Sequence, residues 1–130
     1  MKGIGLITIG KVSVASRYAG MLRSEIERKC PETVGPHVLH YHAPCLGNFS
    51  RKSSDALVSI SRRLLDFGVT QVMLGSSEIA LHADALSDEL GVPVPNPFCL
   101  TTNVVRRFRL TPVVLIGSRT ALEERRWIDC

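Results

Sequence analysis

A short run of small hydroxyl residues, Gly75-Ser76-Ser77, follows an apolar segment and precedes Glu78. A serine hydroxyl can donate a hydrogen bond to a carboxylate or to an enediolate. It is a far weaker acid than a thiol, so Ser76 without an adjacent base would be a poor proton abstractor. Serine is also favoured as the N-cap of a helix, which is a purely structural role. Ligand contact and helix capping are therefore both open for this turn.

Histidine and cysteine side chains are densest between positions 37 and 45, in the group His37, His40, His42 and Cys45. On a strand, His40 and His42 would point to the same face, and Cys45 could approach from the following loop. Three such ligands and a water would resemble a catalytic zinc site. The spacing matches no established metal motif, so we expect partly buried, hydrogen-bonded histidines. Metal binding through His40, His42 and Cys45 is the lesser alternative.

The four cysteines are scattered, without a Cys-x-x-Cys spacing, at Cys30, Cys45, Cys99 and Cys130. In a cytosolic chain of this size, free thiols are expected more often than disulfides. Cys45 lies after a predicted strand, at the edge where ligands bind, and is the candidate thiol for chemistry. Cys99, near a predicted helix start, is a second and weaker candidate.

The elements that would position these residues alternate between strand and helix. Strands are predicted at Gly3–Ile9, His37–Ala43, Val69–Leu74, Val92–Val94 and Pro112–Gly117, with helices between them at Val14–Arg28, from Ser53 or Ser54 to Gly68, at Ile79–Leu90 and at Thr101–Phe108. Short connections between such elements predict a parallel sheet with right-handed crossovers. The predicted fold class is α/β, a three-layer sandwich with a flavodoxin-like parallel sheet of four or five strands.

Ligands of open parallel sheets bind beyond the carboxyl ends of the strands. This rule selects five candidate segments, namely Thr8–Ser13, Ala43–Arg51, Gly75–Glu78, Pro95–Thr101 and Gly117–Thr120. The Gly75–Glu78 turn and Cys45 both lie within them.

Composition and charge exclude several functional classes. The chain has 130 residues, of which 45% are hydrophobic and 22% charged, as in one globular domain. No apolar stretch approaches the roughly 20 residues that cross a bilayer, so no membrane role is expected and the cytoplasm is the default location. The net charge of +4 comes from arginine pairs on predicted helices, with only 5% aromatic residues, which argues against nucleic-acid binding. A modest positive field would instead attract a small dicarboxylate.

The segment Val72–Ile79, which reads Val-Met-Leu-Gly-Ser-Ser-Glu-Ile, resembles a motif of the cofactor-independent aspartate/glutamate racemase superfamily. There a strand runs into Gly-Cys-Thr-Glu in one lobe and into Cys-Asn-Thr in the other. Further similarity in register is found at Ile4–Ile7, Tyr18, Gly91–Val94 and Val114–Glu123. The resemblance implies that residues 1–130 form a single lobe of the racemase type, with residues 118–130 as the start of a second lobe.

The resemblance also implies a chemistry. Racemisation removes the Cα proton from one face of an amino acid and returns a proton to the other, and the family does this with two cysteines, one per lobe, and no cofactor. The turn's N–H groups and small side chains hold the substrate carboxylate at a helix N-terminus. Carried over, Ser76 takes the position of the catalytic cysteine, and substrate contacts are implied for Thr8, Gly10, Gly75, Ser77 and Glu78.

This sequence departs from the family's pattern at several points. Ser76 replaces a thiol, Ala80 replaces a histidine that often follows the Cys-Asn-Thr form, and Thr8-Ile9-Gly10-Lys11 keeps only part of a glycine-rich turn. The resemblance covers one lobe of the family, and we expect a homodimer or a partner lobe to complete the cleft between lobes.

We therefore expect a protein of the racemase family that binds an acidic amino acid or a dicarboxylate, with proton transfer at Cα only if the site is completed. The related arylmalonate decarboxylases keep one cysteine and use a turn of hydroxyl residues as an oxyanion pocket, so a decarboxylase-like variant is also open. The alternative from another class is a non-catalytic carboxylate-binding or interaction domain.

Overall fold

The computed structural model of the chain describes residues 3–30, 37–47, 51–114 and 123, without the side chains of residues 45, 47 and 51–53. Strands and helices alternate in it. The strands are β1 (Gly3–Thr8), β2 (Val38–His42) and β3 (Val69–Leu74), and the helices are α1 (Val12–Lys29), α2 (Arg51–Asp66), α3 (Ser77–Ala80), α4 (Ala83–Leu90) and α5 (Pro97–Phe108), with a 3₁₀ turn at Pro44–Gly47. The predicted α/β class is confirmed.

The described strands form a three-stranded parallel sheet in the order β2-β1-β3. In the register of the central strand, Leu6 lies beside His40 and Thr8 beside His42. Residues in register on neighbouring strands point to the same face, so Thr8 and the two histidines share one face of the sheet. The other neighbour of β1 is β3, whose Leu74 lies beside Ile7. The carboxyl ends of the three strands therefore meet at one edge.

Helices cover both faces of the sheet. The chain moves from β1 to β2 on one side and then back past β1 to β3, so right-handed crossovers place α1 and α2 on opposite faces. The α2 face holds the main core, where a Cβ on Gly5 would be 3.0 Å from Cδ1 of Leu64. On the other face, α1 packs through the small buried residues Ala15 and Ala19. The result is the expected three-layer arrangement.

The prediction of four or five strands is wrong for the part of the chain that the structure describes. Val92–Val94 is not a strand, although the Pro93 carbonyl accepts a bond of 3.4 Å from the Val72 N–H. Proline at 93 and 95 removes the N–H groups that a strand there would need. The predicted fifth strand is not formed at residues 112–114, and its remainder lies outside the described residues.

The helix predicted at Ile79–Leu90 is also interrupted, by a turn at Leu81-His82. Ile79, Ala80, Leu81 and Ala83 are all buried. Successive residues of a straight helix are about 100° apart, so four residues within five positions cannot all face one core. The turn between α3 and α4 lets them do so.

The remaining helices match their predictions with small shifts at the ends. Helix α5 begins earlier than predicted, because Asn96 caps it and Pro97 occupies its first turn. No helix among the described ranges has both the length and the apolar character needed to cross a bilayer. Residues 118–130 lie outside the described part apart from Glu123, so the start of a second lobe stays a prediction.

Candidate functional site

Thr8 is the central residue of the carboxyl-terminal edge of the sheet. It is the last residue of β1 and is 1% exposed. Its Oγ1 lies 2.8 Å from Nε2 of His40 and 3.1 Å from Nδ1 of His42. Its carbonyl accepts a bond of 2.8 Å from the N–H of Ala43, the residue after β2. The predicted hydrogen-bonded histidines are thus confirmed, and their shared partner is Thr8.

Gly75 joins the end of β3 to this centre. Its N–H donates a bond of 2.8 Å to the Ile7 carbonyl. A Cβ at this position would be 2.8 Å from the Cγ2 methyl of Thr8, closer than real Cβ contacts, and 3.2 Å from Cδ1 of Leu6. Glycine is therefore required here by the close approach of Thr8. The turn Gly75-Ser76 begins directly beside the Thr8 side chain.

The two serines of the turn both donate their hydroxyl hydrogens to one acceptor, Oε2 of Glu78. The bond from Ser77 is 3.2 Å long. Ser76 occupies the N-cap position of α3, but its side chain does not bond a backbone N–H of that helix. The hydrogen bond from Ser76 is the main cause that lowers the pKa of Glu78, against an opposing effect of burial. The turn therefore carries a carboxylate that stays ionised at neutral pH.

This arrangement bears on whether Ser76 can abstract a proton. A potential base does lie next to Ser76, because Glu78 accepts a hydrogen bond from the Ser76 hydroxyl. A carboxylate with a lowered pKa is a very weak base, however, and cannot take the proton of a serine hydroxyl to a useful extent. Within the described residues, Ser76 is therefore a polar contact group and lacks the means to act as a base.

The surroundings of the histidine pair beside Thr8 affect its protonation. The pKa of His40 is lowered, first by burial, then by the nearby His42 and by Arg23 of α1. The ring centroids of His40 and His42 are 6.4 Å apart. Nε2 of His42 is buried and has no hydrogen-bond partner. Burial and these neighbouring charges therefore favour the neutral form of His40.

The metal site considered for this region stays a prediction. The described residues contain no group of three or more His, Cys, Asp or Glu side chains arranged to hold a metal ion. Both histidines are directed at the Thr8 hydroxyl. The Cys45 side chain, which was the candidate thiol and third ligand, lies outside the described part of the structure.

The expectation that the cysteines do not form disulfides holds for one described cysteine and is wrong for another. Cys30 is exposed and is not disulfide-bonded. Cys99 is disulfide-bonded, so it is not the reactive thiol that its position near the start of α5 suggested. The cysteine count alone does not reveal such a bond, because the spacing carries no motif.

Gly10 lies two residues beyond Thr8, at the entrance to α1. Its φ of +82° is in the left-handed region, which glycine adopts without strain. Lys11 follows as the N-cap of α1, and its carbonyl accepts bonds from the N–H groups of Val14 and Ala15. The N–H groups of Val12 and Ser13 lie within the first turn of the helix, where intrahelical partners are absent. The predicted segment Thr8–Ser13 is therefore at the same edge as the Gly75–Glu78 turn.

Two other predicted segments are not part of this cluster. In Pro95–Thr101, Asn96 caps α5 and its amide donates to Asp84, which is a structural role. Gly117–Thr120 lies outside the described residues.

A cavity of about 360 Å³ lies at the opposite, amino-terminal edge of the sheet and is lined by Gly3, His37, Leu39, Phe67, Gly68 and Val69. Its lining is mainly apolar, so the cavity does not extend the candidate site.

Comparison with known proteins identifies the fold. An aspartate racemase homologue from Pyrococcus horikoshii, known from its crystal structure, matches with a TM-score of 0.76 at 19% sequence identity. The match covers 99% of this chain and 59% of that chain, so this chain spans about three fifths of the length of that protein. No family model and no curated protein matches the sequence. The racemase-type α/β fold expected from the sequence resemblance is confirmed.

Proposed function

We propose that this racemase-fold lobe binds a free α-amino acid, preferentially an acidic one, at the carboxyl-terminal edge of its sheet. The observation that carries the proposal is the cluster in which Ser76 and Ser77 donate to Glu78 next to the Thr8–Gly75 contact. This cluster lies where ligands bind in open parallel sheets. The similarity to an aspartate racemase homologue supports the amino-acid class.

The charge of the turn selects the ammonium group of the ligand. Both serine hydroxyls donate their hydrogens to Glu78. Toward a ligand they can therefore only accept hydrogen bonds, through their lone pairs. Together with the ionised Glu78 they form an acceptor site, and an ammonium group supplies three donors. A simple dicarboxylate would have to displace Glu78 from the serines. An amino acid therefore fits this turn better than a dicarboxylate does.

In this proposal the α-carboxylate of the ligand binds at the N-terminus of α1, at the same edge of the sheet as the Gly75–Glu78 turn. Helix α1 has 18 residues, no acidic residue in its first turn, and Lys11 immediately before it. The free N–H groups and the positive end of such a helix stabilise an anion. The net charge of +4 further favours an acidic amino acid over a basic one.

Proton transfer at Cα is the second candidate, and the fold of the structural neighbour favours it. It would need a stronger base than Ser76, such as a thiol from Cys45, from a second copy of the chain or from a partner lobe. Loss of the Cα proton signal of aspartate in deuterated water would support this candidate. Retention of the signal at high protein concentration would leave binding alone.

The binding proposal is tested by NMR on the ¹⁵N-labelled chain during a titration with L-aspartate. A small ligand with few contacts should bind with a Kd of about 1 mM, which corresponds to about −4 kcal/mol. We expect the amide signals of Gly10–Ser13 and Gly75–Glu78 to shift together along one binding curve. Shifts confined to other parts of the sheet, or no shifts, would overturn the proposal.

A further inference from the structure

We propose that His40 and His42 are positioning residues that act through Thr8 on the Gly75-Ser76 turn, so that ligand affinity at this edge depends on the protonation of the pair. The ligand half of this inference rests on the proposed function. The structural half, coupling between the histidines and the turn, does not.

The geometry places Thr8 between the two partners. Its Oγ1 lies 2.8 Å and 3.1 Å from ring nitrogens of His40 and His42 on β2. Its Cγ2 occupies the space beside Gly75 on β3, where a Cβ would be only 2.8 Å away. One side chain, almost fully buried, therefore contacts the histidines with one branch and the turn with the other.

The two branches of Thr8 move together. Oγ1 and Cγ2 are both attached to Cβ, and a β-branched side chain changes χ1 only by steps of about 120° between staggered positions. Any rotation that releases the hydroxyl from the histidines also removes the methyl group from Gly75. A change at the histidines is thus transmitted to the turn without a further intermediate.

The hydrogen bonds of Thr8 depend on how many of the two histidine rings are protonated. Thr8 has one hydrogen to donate and can also accept. With both rings neutral, it donates to one ring nitrogen and accepts from the other. With one ring protonated, the same pattern still holds. With both rings protonated, both nitrogens are donors, and the buried hydroxyl hydrogen loses its acceptor, which costs stability.

Electrostatics acts in the same direction. Three groups surround the histidine pair. Thr8 of β1 carries no charge, Arg23 of α1 is positively charged, and each histidine lies near the other on β2. Burial, and after it the charges of His42 and Arg23, lower the pKa of His40. The second proton therefore binds to the histidine pair against electrostatic repulsion. When it binds, we expect the hydrogen bonds between Thr8 and the histidines to break.

The first experiment follows the ring signals of the histidines and the amide signals of Gly75 and Ser76 by NMR between pH 8 and pH 5. We expect the Gly75 and Ser76 amides to titrate with the same midpoint as a ring of the pair. In Thr8→Val, which keeps the methyl group and removes the hydroxyl, this response should disappear. His37→Gln, at the opposite edge, should leave it unchanged. Amides that do not respond, or that respond equally in Thr8→Val, would overturn the coupling.

If Thr8→Val does not fold, Thr8→Ser gives the complementary test. It keeps the hydroxyl and removes the methyl group, so the histidines should titrate as in the wild type while the Gly75 response is lost. A Gly75 response that survives in Thr8→Ser would overturn the role of the methyl group and with it the proposal.

The second experiment measures the Kd of L-aspartate at pH 7.5 and pH 5, where both aspartate and Glu78 stay ionised. We expect binding to weaken about tenfold at pH 5 in the wild type, since one linked proton changes affinity by up to tenfold per pH unit. The double variant His40→Gln/His42→Asn keeps an amide at each bonded ring position and should bind equally at both pH values. A wild type without pH dependence would overturn the ligand half. A wild type that binds no aspartate, but whose Gly75 amide follows the histidines, would reject the proposed function and leave the coupling supported.

Discussion

The methyl group of Thr8 fills the space that any side chain at position 75 would need. A Cβ on Gly75 would be 2.8 Å from Cγ2 of Thr8, and the Thr8 side chain is also held by hydrogen bonds to two histidines. This contact fixes the end of β3 against the end of β1. It also decides where the Ser76 and Ser77 hydroxyls and Glu78 lie.

The Gly75→Ala substitution should therefore be costly. An added methyl group in a packed site typically costs about 1–3 kcal/mol, because neighbours must shift. Gly20→Ala is the matched control, since Gly20 lies in α1 with no atom within 4 Å of a Cβ and should gain about 0.5–1 kcal/mol from helix propensity. Urea unfolding of both variants measures the two changes. Equal stability of Gly75→Ala and the wild type would contradict the close contact.

Stability should fall as the pH is lowered from 7.5 to 5, with His40 contributing. The pKa of His40 is lowered in the folded state, so the folded chain binds fewer protons than the unfolded chain. Its contribution is complete above the unfolded value of about 6.5 and is lost as the pH falls through the folded pKa. Urea unfolding across this range should give a smaller slope for His40→Gln than for the wild type. An unchanged slope would show that His40 is not responsible.

Removal of the α5 cap should destabilise the chain by about 1 kcal/mol. Asn96 accepts a bond of 3.0 Å from the N–H of Phe98 and donates to both carboxylate oxygens of Asp84. Asn96→Ala removes both contacts. Asn103→Ala, at an exposed position of the same helix, should be neutral or slightly stabilising because alanine has the higher helix propensity. Thermal unfolding separates the two, and equal effects would contradict a capping role.

A thiol placed at position 76 should not become a reactive base while Glu78 is present. A neighbouring carboxylate disfavours a thiolate, so the thiol of Ser76→Cys should have a pKa above the ordinary value of about 8.5. The double variant Ser76→Cys/Glu78→Gln should have a lower one. The pH dependence of alkylation by iodoacetamide, in a Cys30→Ser/Cys45→Ser background, measures both. A pKa below 8.5 with Glu78 intact would contradict the assigned electrostatics of the turn.

Sequence patterns predicted the elements that rest on strong local signals. The strands β1, β2 and β3 and the turn at Gly75 all lie where they were expected. The strand at Val92–Val94 was not formed, because its pattern was apolar but its prolines cannot donate to a sheet. The break at Leu81-His82 has no glycine or proline to signal it and arises from the burial of neighbouring residues.

The contacts of the site were less predictable than its location. The rule about strand ends selected both Thr8 and the Gly75–Glu78 turn. The spacing of His40 and His42 indicated a shared face, but their partner depends on the register of β2 against β1, which is a tertiary property. The bonds from both serines to Glu78 depend on side-chain rotamers in a four-residue helix, and no sequence pattern specifies those.

The central claim, that the turn is an acceptor site for the ammonium group of an amino acid, is tested most directly by comparing L-aspartate with succinate, which lacks only that group. Calorimetric titration should give at least about tenfold tighter binding of aspartate, since a charge-assisted hydrogen bond contributes about 1.5–3 kcal/mol. Glu78→Gln should remove this preference, and Glu89→Gln, whose carboxylate pairs with Arg62 on the surface, should keep it. Succinate that binds the wild type as tightly as aspartate, or a preference that survives Glu78→Gln, would contradict the account.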